Sequence, residues 1–420
     1  MNKKLKIIAL LLFALLTLST CGKKPIEPME VVESEDKHIK EIPEKSEEVI
    51  EEEDMIQIQL EEMNLEEKIG QLFIFGFDNN EIDKNIIDII QKNHIGGFVF
   101  FKENIQSVEQ GLYNLNSLKE INKKNSIPLF LAIDEEGGKV SRLPKPFLKM
   151  PTPKKIGDIN DEKISLQYGQ ILGERVKSLG FNMDFAPVVD INSNPKNPVI
   201  GSRAFGSTVD IVVDNSINAM EGISSENIIP VLKHFPGHGD TKIDSHIDIP
   251  VIDKSMEELE ELELIPFKTA IEAGADSIMI GHILFPKLDE NNPATLSKNI
   301  INGILREKLS FDGVIISDDM TMGAIMENYN VEDAVVEFFK AGGDIALVCY
   351  ERDIQSNLPQ RIMDEVKHGN ISEEEIDEKV YRILKLKEKY NISDEIISKA
   401  NIEKVNQQTQ EFLKRVENYK

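Results

Sequence analysis

Short apolar runs recur along the chain at intervals that leave room for a helix between neighbours. Each run is rich in Val, Ile, Leu and Phe and is flanked by glycine, proline or polar residues. The eight runs cover Ile69–Phe77, Ile95–Phe101, Pro128–Asp134, Phe181–Ile191, Ile228–His234, Ala275–His282, Gly313–Asp318 and Asp344–Cys349. Because their apolar residues are nearly continuous rather than alternating, each run predicts a strand that is buried on both faces.

The segments between the runs have helical periodicity. Helices are predicted over Lys163–Leu179, Met256–Ala273 and Val331–Lys340, the second with Ser255 as its N-cap and one apolar face. Strand and helix thus alternate eight times, which predicts an α/β fold: a single (β/α)8 TIM-like barrel over residues 56–420, with C-terminal helices and no second domain after them. A doubly wound open sheet is the alternative, although no Gly-rich phosphate loop follows the first run.

The first residues of the chain have the composition of an export signal. Three lysines precede the apolar run Ile7–Leu16, which is short for a membrane span. Residues 18–22, Leu-Ser-Thr-Cys-Gly, resemble the bacterial lipoprotein cleavage box, in which the cysteine becomes the lipidated first residue. We therefore predict a signal peptide over residues 1–20 and lipidation at Cys21, with an ordinary signal peptide as the alternative. The other cysteine, Cys349, is expected in the core rather than in a disulfide.

A strongly acidic segment follows Cys21. The stretch Pro25–Ile56 contains thirteen Asp and Glu against three Lys, has three prolines and lacks aromatic residues. Such a chain repels itself and buries little surface, so residues 21–55 are predicted to be a disordered linker that holds the folded domain away from the membrane. The net charge of −26 for the whole chain argues against nucleic-acid binding.

Polar residues follow the predicted strands where a barrel would build its active site, at the carboxyl ends. Four of the seven histidines fall after the fifth and sixth runs, whereas surface histidines would scatter. Runs three to seven end in Asp134-Glu135-Glu136-Gly137-Gly138, Asp190, Lys233-His234, Gly281-His282 and Ser317-Asp318-Asp319. We expect these side chains to meet at one end of the barrel.

The stretch Lys233–His246, KHFPGHGDTKIDSH, resembles the catalytic loop of family-3 glycoside hydrolases in the β-N-acetylglucosaminidase (β-N-acetylhexosaminidase) branch. Three further motifs stand in the expected order: Asp134-x-Glu136-Gly137-Gly138, Arg203-Ala204-Phe205-Gly206 and Ser317-Asp318-Asp319-Met320. The resemblance covers about residues 56–390. It implies a retaining hydrolase that releases terminal N-acetylglucosamine through a covalent glycosyl-enzyme, without a metal or organic cofactor. With export, it implies peptidoglycan fragments as substrate and a location on the outer face of the cell membrane.

The resemblance assigns His246 as general acid/base and Asp244 as its orienting partner. In an extended segment, residues two apart point to the same side, and an Asp that binds one ring nitrogen leaves the other free to protonate a leaving oxygen. Asp318, at the end of the seventh run, is the candidate nucleophile. Asp319 is its rival, although a helix-capping role suits Asp319 better.

Five further residues are assigned by the resemblance to substrate binding: Asp134, Arg142, Arg203, Lys233 and His234. A carboxylate can accept from two sugar hydroxyls, and Arg or Lys can donate to hydroxyl oxygens. His282 is a further candidate, and its alternative role is to support the site without contacting the substrate.

Three competing interpretations stay open. The loop residues His234, His238, Asp240, Asp244 and His246 suit zinc by type, although the prolines and glycines among them give a flexible frame. A related glycosyl phosphorylase would use phosphate instead of water, and a His in the acid/base role would not repel that dianion. A non-catalytic sugar-binding lipoprotein is the third, although it would have no use for an Asp–His pair.

Overall fold

The computed structural model describes residues 54–78, 81–242, 244–245 and 247–419. The predicted signal peptide, Cys21 and all but the last two residues of the predicted linker lie outside these ranges, so they stay predictions. Residues 53–420 form one compact unit. Helix α1 (Met55–Glu62) begins after Asp54, whose carboxylate accepts from the N–H groups of Ile56 and Gln57. None of the described helices is long and apolar enough to cross a membrane.

The strands of the described ranges follow the apolar runs. They are β1 (Phe73–Phe75), β2 (Gly97–Phe100), β3 (Phe130–Ile133), β4 (Glu135–Gly137), β5 (Val140–Ser141), β6 (Met183–Asp184), β7 (Ile229–Pro230), β8 (Leu232–Phe235), β9 (Ser277–Ile280), β10 (Val314–Ser317) and β11 (Ala346–Val348). Every run contains a strand, and the fifth contains two. The strands from the runs are buried along their whole length, in agreement with the prediction.

The parallel strands are arranged in two sheets. One has the order β11-β1-β2-β3-β6-β7 and the other β10-β9-β8, and every pair in both is parallel. Single bridges join the sheets, Val188 with Lys233 and Ile316 with Ile345. Spatial neighbours are therefore also neighbours in chain order, as a barrel requires, but the predicted closure is only partly seen, because among the described residues no continuous ladder spans either junction.

Local chemistry explains the interrupted ladders. At the first junction, Pro187 and Pro230 have no N–H group to donate to a neighbouring strand. At the second, the N–H of Ile315 donates to the carboxylate of Asp344 at 2.7 Å. An antiparallel hairpin, β4 with β5, was not predicted. It turns through Gly137 and Gly138, whose φ angles of +79° and +60° favour glycine.

The remaining helices surround the sheets. They are α2 (Leu65–Gln71), α3 (Lys84–Asn93), α4 (Val108–Asn122), α5 (Pro153–Ile159), α6 (Glu162–Leu179), α7 (Val209–Ser225), α8 (Met256–Glu260), α9 (Leu264–Glu272), α10 (Gly323–Met326), α11 (Val331–Ala341), α12 (Arg352–Lys367), α13 (Glu373–Lys389) and α14 (Ile402–Glu417). A π-helical segment covers Asn299–Lys308, and short 3-10 turns cover Lys102–Asn104, Gly201–Arg203 and Ala294–Leu296.

Two of the predicted boundaries are wrong. The single helix expected over Met256–Ala273 is two helices, α8 and α9, because Pro266, in the first turn of α9, has no N–H group with which to continue the hydrogen bonds of α8. Ser255 caps α8 as expected, in a capping box with Glu258. The start of the first apolar run belongs to α2 rather than to a strand, since Asn64 and Glu67 form a capping box there.

Candidate active site

A cavity of about 420 Å³ opens at the carboxyl ends of the parallel strands. Its walls come from segments that follow β2, β3, β6, β8, β10 and β11, as expected for a site built by strand-to-helix loops. The predicted site residues that line it are Asp134, Arg142, Arg203, Lys233, His234 and Asp318. The structure therefore brings these six together, although their roles stay predictions.

Lys233 is the central cation of the cavity. It lies on β8 with its ammonium 2.7 Å from Asp134 Oδ1 and 2.7 Å from Glu136 Oε1. Burial raises the pKa of Asp134, but the charges of Lys233 and Arg142 outweigh it and hold that pKa below its usual value. Burial lowers the pKa of Lys233, but the two carboxylates raise it overall. Asp134 and Lys233 are therefore both charged at neutral pH.

Glu136 is a member of the site that the predicted residue set omits. Arg203 grips it with two hydrogen bonds, Nη2 to Oε1 at 2.7 Å and Nε to Oε2 at 2.8 Å. Burial raises the pKa of Glu136, yet Arg203 and Lys233 together lower it to about 2. Its position in the Asp-x-Glu motif was visible in the sequence, and the β4–β5 hairpin turns it toward the cations.

His234 is held by an acid from the segment that follows β6. Its Nδ1 lies 2.7 Å from Asp190 Oδ2, and its Nε2 lies 3.4 Å from Arg203 Nη2. Asp190 also accepts the backbone N–H of His238 at 2.7 Å. Because a carboxylate only accepts, Nδ1 of His234 donates its proton to Asp190. Asp190, at the end of the fourth run, is a second site residue omitted from the predicted set.

Arg142 forms part of an aromatic wall. Its guanidinium is 3.3 Å from Asp134 Oδ2, and its Cζ lies 5.9 Å from the ring centroid of Phe101. Phe101 stacks on Tyr350 with ring centroids 5.4 Å apart. The buried Nε of Arg142 has no partner among the described residues. This wall thus offers a stacking face and a spare donor to a ligand, and neither aromatic residue was predicted.

The paired acids after β10 have different environments. Burial raises the pKa of Asp318, but His282, His234 and the N–H of Asp319 outweigh it, so the pKa lies below its usual value. Burial raises the pKa of Asp319, which is engaged by Thr321 and by the N–H of Cys349. The pKa of Asp318 is therefore shifted toward the ionised form and that of Asp319 away from it. Asp319 fastens a turn rather than capping α10, whose N-cap is Met322.

The loop after β8 carries the predicted acid/base pair, and His246 lies outside the described residues. Asp244 is half-buried. The N–H groups of Ile247 and Asp248 donate to its carbonyl at 2.9 and 3.2 Å. These two bonds form a turn at Asp244, and the roles of Asp244 and His246 stay predictions.

The described part of the same loop bears on the zinc interpretation. His238 Nδ1 is 2.9 Å from Thr241 Oγ1 and its Nε2 is 3.2 Å from Ser245 Oγ. Burial lowers the pKa of His238 to about 4. Both nitrogens of His238 and of His234 are thus engaged by protein groups. Within the ranges that the structure describes, no three His, Cys, Asp or Glu side chains are grouped to hold a metal ion.

Cys349 matches its prediction. It is a buried, free cysteine directly after β11, and its thiol lines the cavity beside Asp319. Burial and the nearby carboxylate raise its pKa, so the thiol stays protonated.

Comparisons with known proteins agree with this geometry. Residues 64–386 match the N-terminal domain of glycosyl hydrolase family 3. The chain is 33% identical over 342 residues to Beta-hexosaminidase A of Pseudoalteromonas piscicida, covering 75% of this chain and 56% of that protein. It is 32% identical over 279 residues to a Beta-hexosaminidase of Nitrosomonas eutropha, covering 64% and 79% respectively.

A solved structure gives the same result. The glycoside hydrolase family 3 beta-N-acetylglucosaminidase from Paenibacillus sp. str. FPU-7 superimposes with a TM-score of 0.80 at 35% identity, covering 83% of this chain and 68% of that one. The resemblance inferred from the four motifs is confirmed. The chain belongs to glycosyl hydrolase family 3.

Proposed function

We propose that this protein is a retaining exo-β-N-acetylglucosaminidase that releases terminal N-acetylglucosamine. The observation that carries the proposal is Asp318, which lines the cavity with a lowered pKa together with Asp134, Lys233 and Arg203, whose groups suit sugar hydroxyls. The relatives' names support a β-hexosaminidase activity.

The proposed reaction has two steps. A carboxylate oxygen of Asp318 bonds to the anomeric carbon while the glycosidic C–O bond breaks, and His246 gives its proton to the leaving oxygen. In the second step His246 takes a proton from water, whose oxygen bonds to the anomeric carbon as the bond to Asp318 breaks. The free carboxylate is restored, and the β configuration is kept because the carbon is inverted twice.

Two measurements test this proposal. A chromogenic β-N-acetylglucosaminide should be hydrolysed, and proton NMR should detect the β-anomer of the sugar before mutarotation. A mechanism-based fluoro-sugar should label one peptide, with the added mass on Asp318. A label on Asp319 would transfer the nucleophile role to that residue, and an α-anomer as first product would exclude retention.

We propose peptidoglycan fragments as the natural substrate, with N-acetylglucosamine linked to muramic acid. Support comes from the family membership and from the predicted export signal. Purified disaccharide fragments should be cleaved with higher kcat/KM than chitobiose of the same length. A preference for chitobiose would contradict this substrate.

Two alternatives give different outcomes in the same assays. A glycosyl phosphorylase would form N-acetylglucosamine 1-phosphate in phosphate buffer, whereas a hydrolase forms free sugar in any buffer. A non-catalytic sugar-binding lipoprotein would bind the glycoside without turnover.

We propose that the protein is exported and held on the outer face of the cell membrane by a lipid on Cys21. Mass spectrometry of the mature N-terminus should find a lipidated cysteine at residue 21. Cys21→Ser should release the protein from the membrane fraction, whereas Cys349→Ser should leave it there. Retention of the Cys21→Ser protein would contradict the anchor.

We also propose that the two sheets close into one (β/α)8 barrel. Support comes from backbone bonds across both junctions, Val189 N–H to the Lys233 carbonyl and Ser317 N–H to the Ile345 carbonyl, each 2.9 Å. Both amides should resist hydrogen exchange as strongly as amides inside β2 and β3. Fast exchange at either junction would indicate an open sheet.

A further inference from the structure

His282 lies beneath the paired acids and makes two short contacts. It follows β9 after one residue and is completely buried. Its Nε2 lies 2.9 Å from the backbone carbonyl oxygen of Asp319. Its Nδ1 lies 2.7 Å from Thr295 Oγ1, on the 3-10 turn that precedes the π-helical segment.

The protons available to these contacts can be counted. A carbonyl oxygen only accepts, so Nε2 must donate to Asp319. Thr295 has one hydroxyl proton, and its Oγ1 donates to the carbonyl of Gly281 at 3.0 Å. Having donated there, Thr295 can only accept from His282 Nδ1. Both ring nitrogens then donate, and only the imidazolium form of histidine has two N–H donors.

The hydrogen bond from His282 to Asp319 is linked to Asp318 by a second hydrogen bond. The N–H of Asp319 donates to Asp318 Oδ1 at 2.9 Å, while the carbonyl of Asp319 receives His282. The side chain of Asp319 is fixed separately by Thr321 and by the N–H of Cys349. The backbone of Asp319 orients the Asp318 carboxylate through its N–H group. That backbone is fixed by His282 at its carbonyl oxygen, and the side chain of the same residue is fixed by Thr321 and Cys349.

We propose that His282 is a positively charged positioning residue for Asp318, kept doubly protonated by Thr295 and fixed through the backbone of Asp319. The inference rests on the proposed nucleophile role of Asp318. The cation favours the carboxylate form, which is the attacking group in the first step and the leaving group in the second. His282 keeps both protons throughout, so the reaction needs no further proton donor.

Nuclear magnetic resonance tests the charge without any turnover. In protein labelled with ¹⁵N-histidine, both nitrogens of His282 should show protonated shifts at pH 7, assigned by their loss in His282→Gln. In Thr295→Val, Nδ1 loses its acceptor, and one nitrogen should take the unprotonated shift. An unprotonated nitrogen of His282 in the unsubstituted protein would overturn the proposal, because the Thr295 hydroxyl would then be the donor.

Kinetics test the positioning role. The Gln amide in His282→Gln can still donate to Asp319 but carries no charge, so kcat/KM should fall about 100-fold, as expected for a lost charge-assisted interaction. KM should stay within about threefold, because His282 does not line the cavity. The acid limb of the pH profile of kcat/KM should move to higher pH. An unchanged acid limb would overturn the proposal.

Other groups face the same carboxylate and must be considered when the pH profile is read. The titratable groups that interact with Asp318 are His234, His238, Lys233, His282, Asp319 and Cys349. None of them except His282 is altered in the test, so a shift between the two proteins reports the His282 charge.

Matched substitutions separate position from packing. Thr295→Val should lower kcat/KM about tenfold, whereas Thr295→Ser, which keeps the hydroxyl, should stay within about twofold of the original. Thr409→Val is the control, because Thr409 is an equally buried hydroxyl that bonds the Val405 carbonyl on α14. Equal losses in Thr295→Val and Thr409→Val would contradict the proposal. If the unsubstituted protein shows no turnover, the proposed function fails while the resonance experiment still decides the charge.

Discussion

Two buried charge clusters lie at opposite ends of the parallel strands. The cavity cluster consists of Asp134, Glu136, Arg203 and Lys233. The base cluster consists of Arg306, Asp344 and Arg382. Both clusters are built from close ion pairs.

The two clusters differ in whether hydrogen-bonding groups and open space are left available to a ligand. In the base cluster, Arg306 Nη1 donates to the carbonyls of Phe311 and Gly313, and Asp344 accepts both guanidinium groups and the N–H of Ile315. The cavity cluster faces about 420 Å³ of open space, and the neighbouring Arg142 Nε has no partner among the described residues. In the base cluster the charged groups bond to one another and to the backbone, so this cluster supports the fold. On the cavity side a donor is left without a protein partner beside open space, and this arrangement suits the binding of a ligand.

The largest expected effect concerns the cavity side. Asp318→Asn should lower kcat on a chromogenic glycoside about ten-thousand-fold, as removal of a covalent nucleophile does in other enzymes. Its melting temperature should fall slightly, because the lowered pKa of Asp318 means that the folded protein stabilises the charged carboxylate that the substitution removes. Activity within tenfold of the original would show that Asp318 is not the nucleophile.

The opposite pattern is expected in the base cluster. Asp344→Asn should lower the free energy of unfolding by about 3–5 kcal/mol, because two buried guanidinium groups lose their carboxylate. The folded fraction should keep its KM. Asp276→Asn is the control, since the Asp276–Lys389 pair is partly exposed and its loss should cost under about 1 kcal/mol. Urea unfolding measures the free energy of unfolding of both variants. Similar losses in Asp344→Asn and Asp276→Asn would contradict a special role of the base cluster in folding.

His238 lines the cavity, yet we expect it to contribute to the free energy of unfolding in a pH-dependent way. Burial lowers its pKa from 6.5 to about 4, so between these values the unfolded chain binds more protons than the folded one. Its contribution is complete above pH 6.5 and is lost as the pH falls toward 4, by at most about 3 kcal/mol. Urea unfolding at pH 7, 5.5 and 4 should show a shallower loss in His238→Gln. An identical pH slope in both proteins would exclude this role.

The smallest effect is expected for one guanidinium in each cluster. Arg203→Lys cannot reproduce the two-pronged contact with Glu136, and kcat/KM should fall about tenfold with little change in melting temperature. Arg306→Lys should lower the melting temperature and leave kcat/KM alone. If Arg203→Lys lowered mainly the melting temperature and Arg306→Lys mainly kcat/KM, the position of a cluster along the strands would not separate function from folding.

Prediction from the sequence succeeded where one physical cause dominates. Burial on both faces makes each strand a continuous apolar run, so all eight positions were found. It failed where a local interaction competes, because Pro266 interrupts the hydrogen bonds of a predicted helix. Six predicted site residues line one cavity, whereas Glu136, Asp190, Phe101 and Tyr350 were not in the predicted set. All four lie within or directly after apolar runs, or in the hairpin that follows one, so position was a usable signal for them.

The order of strands, the family and the end of the strands at which the cavity opens followed from the sequence alone, because apolar runs and motif order are properties of the chain itself. Only the tertiary structure showed that the surroundings of Asp318 and Asp319 shift their pKa values in opposite directions and that His282 contacts the backbone of Asp319. These depend on burial and on distances of about 3 Å between atoms that lie far apart in sequence, such as those of His282 and Asp319.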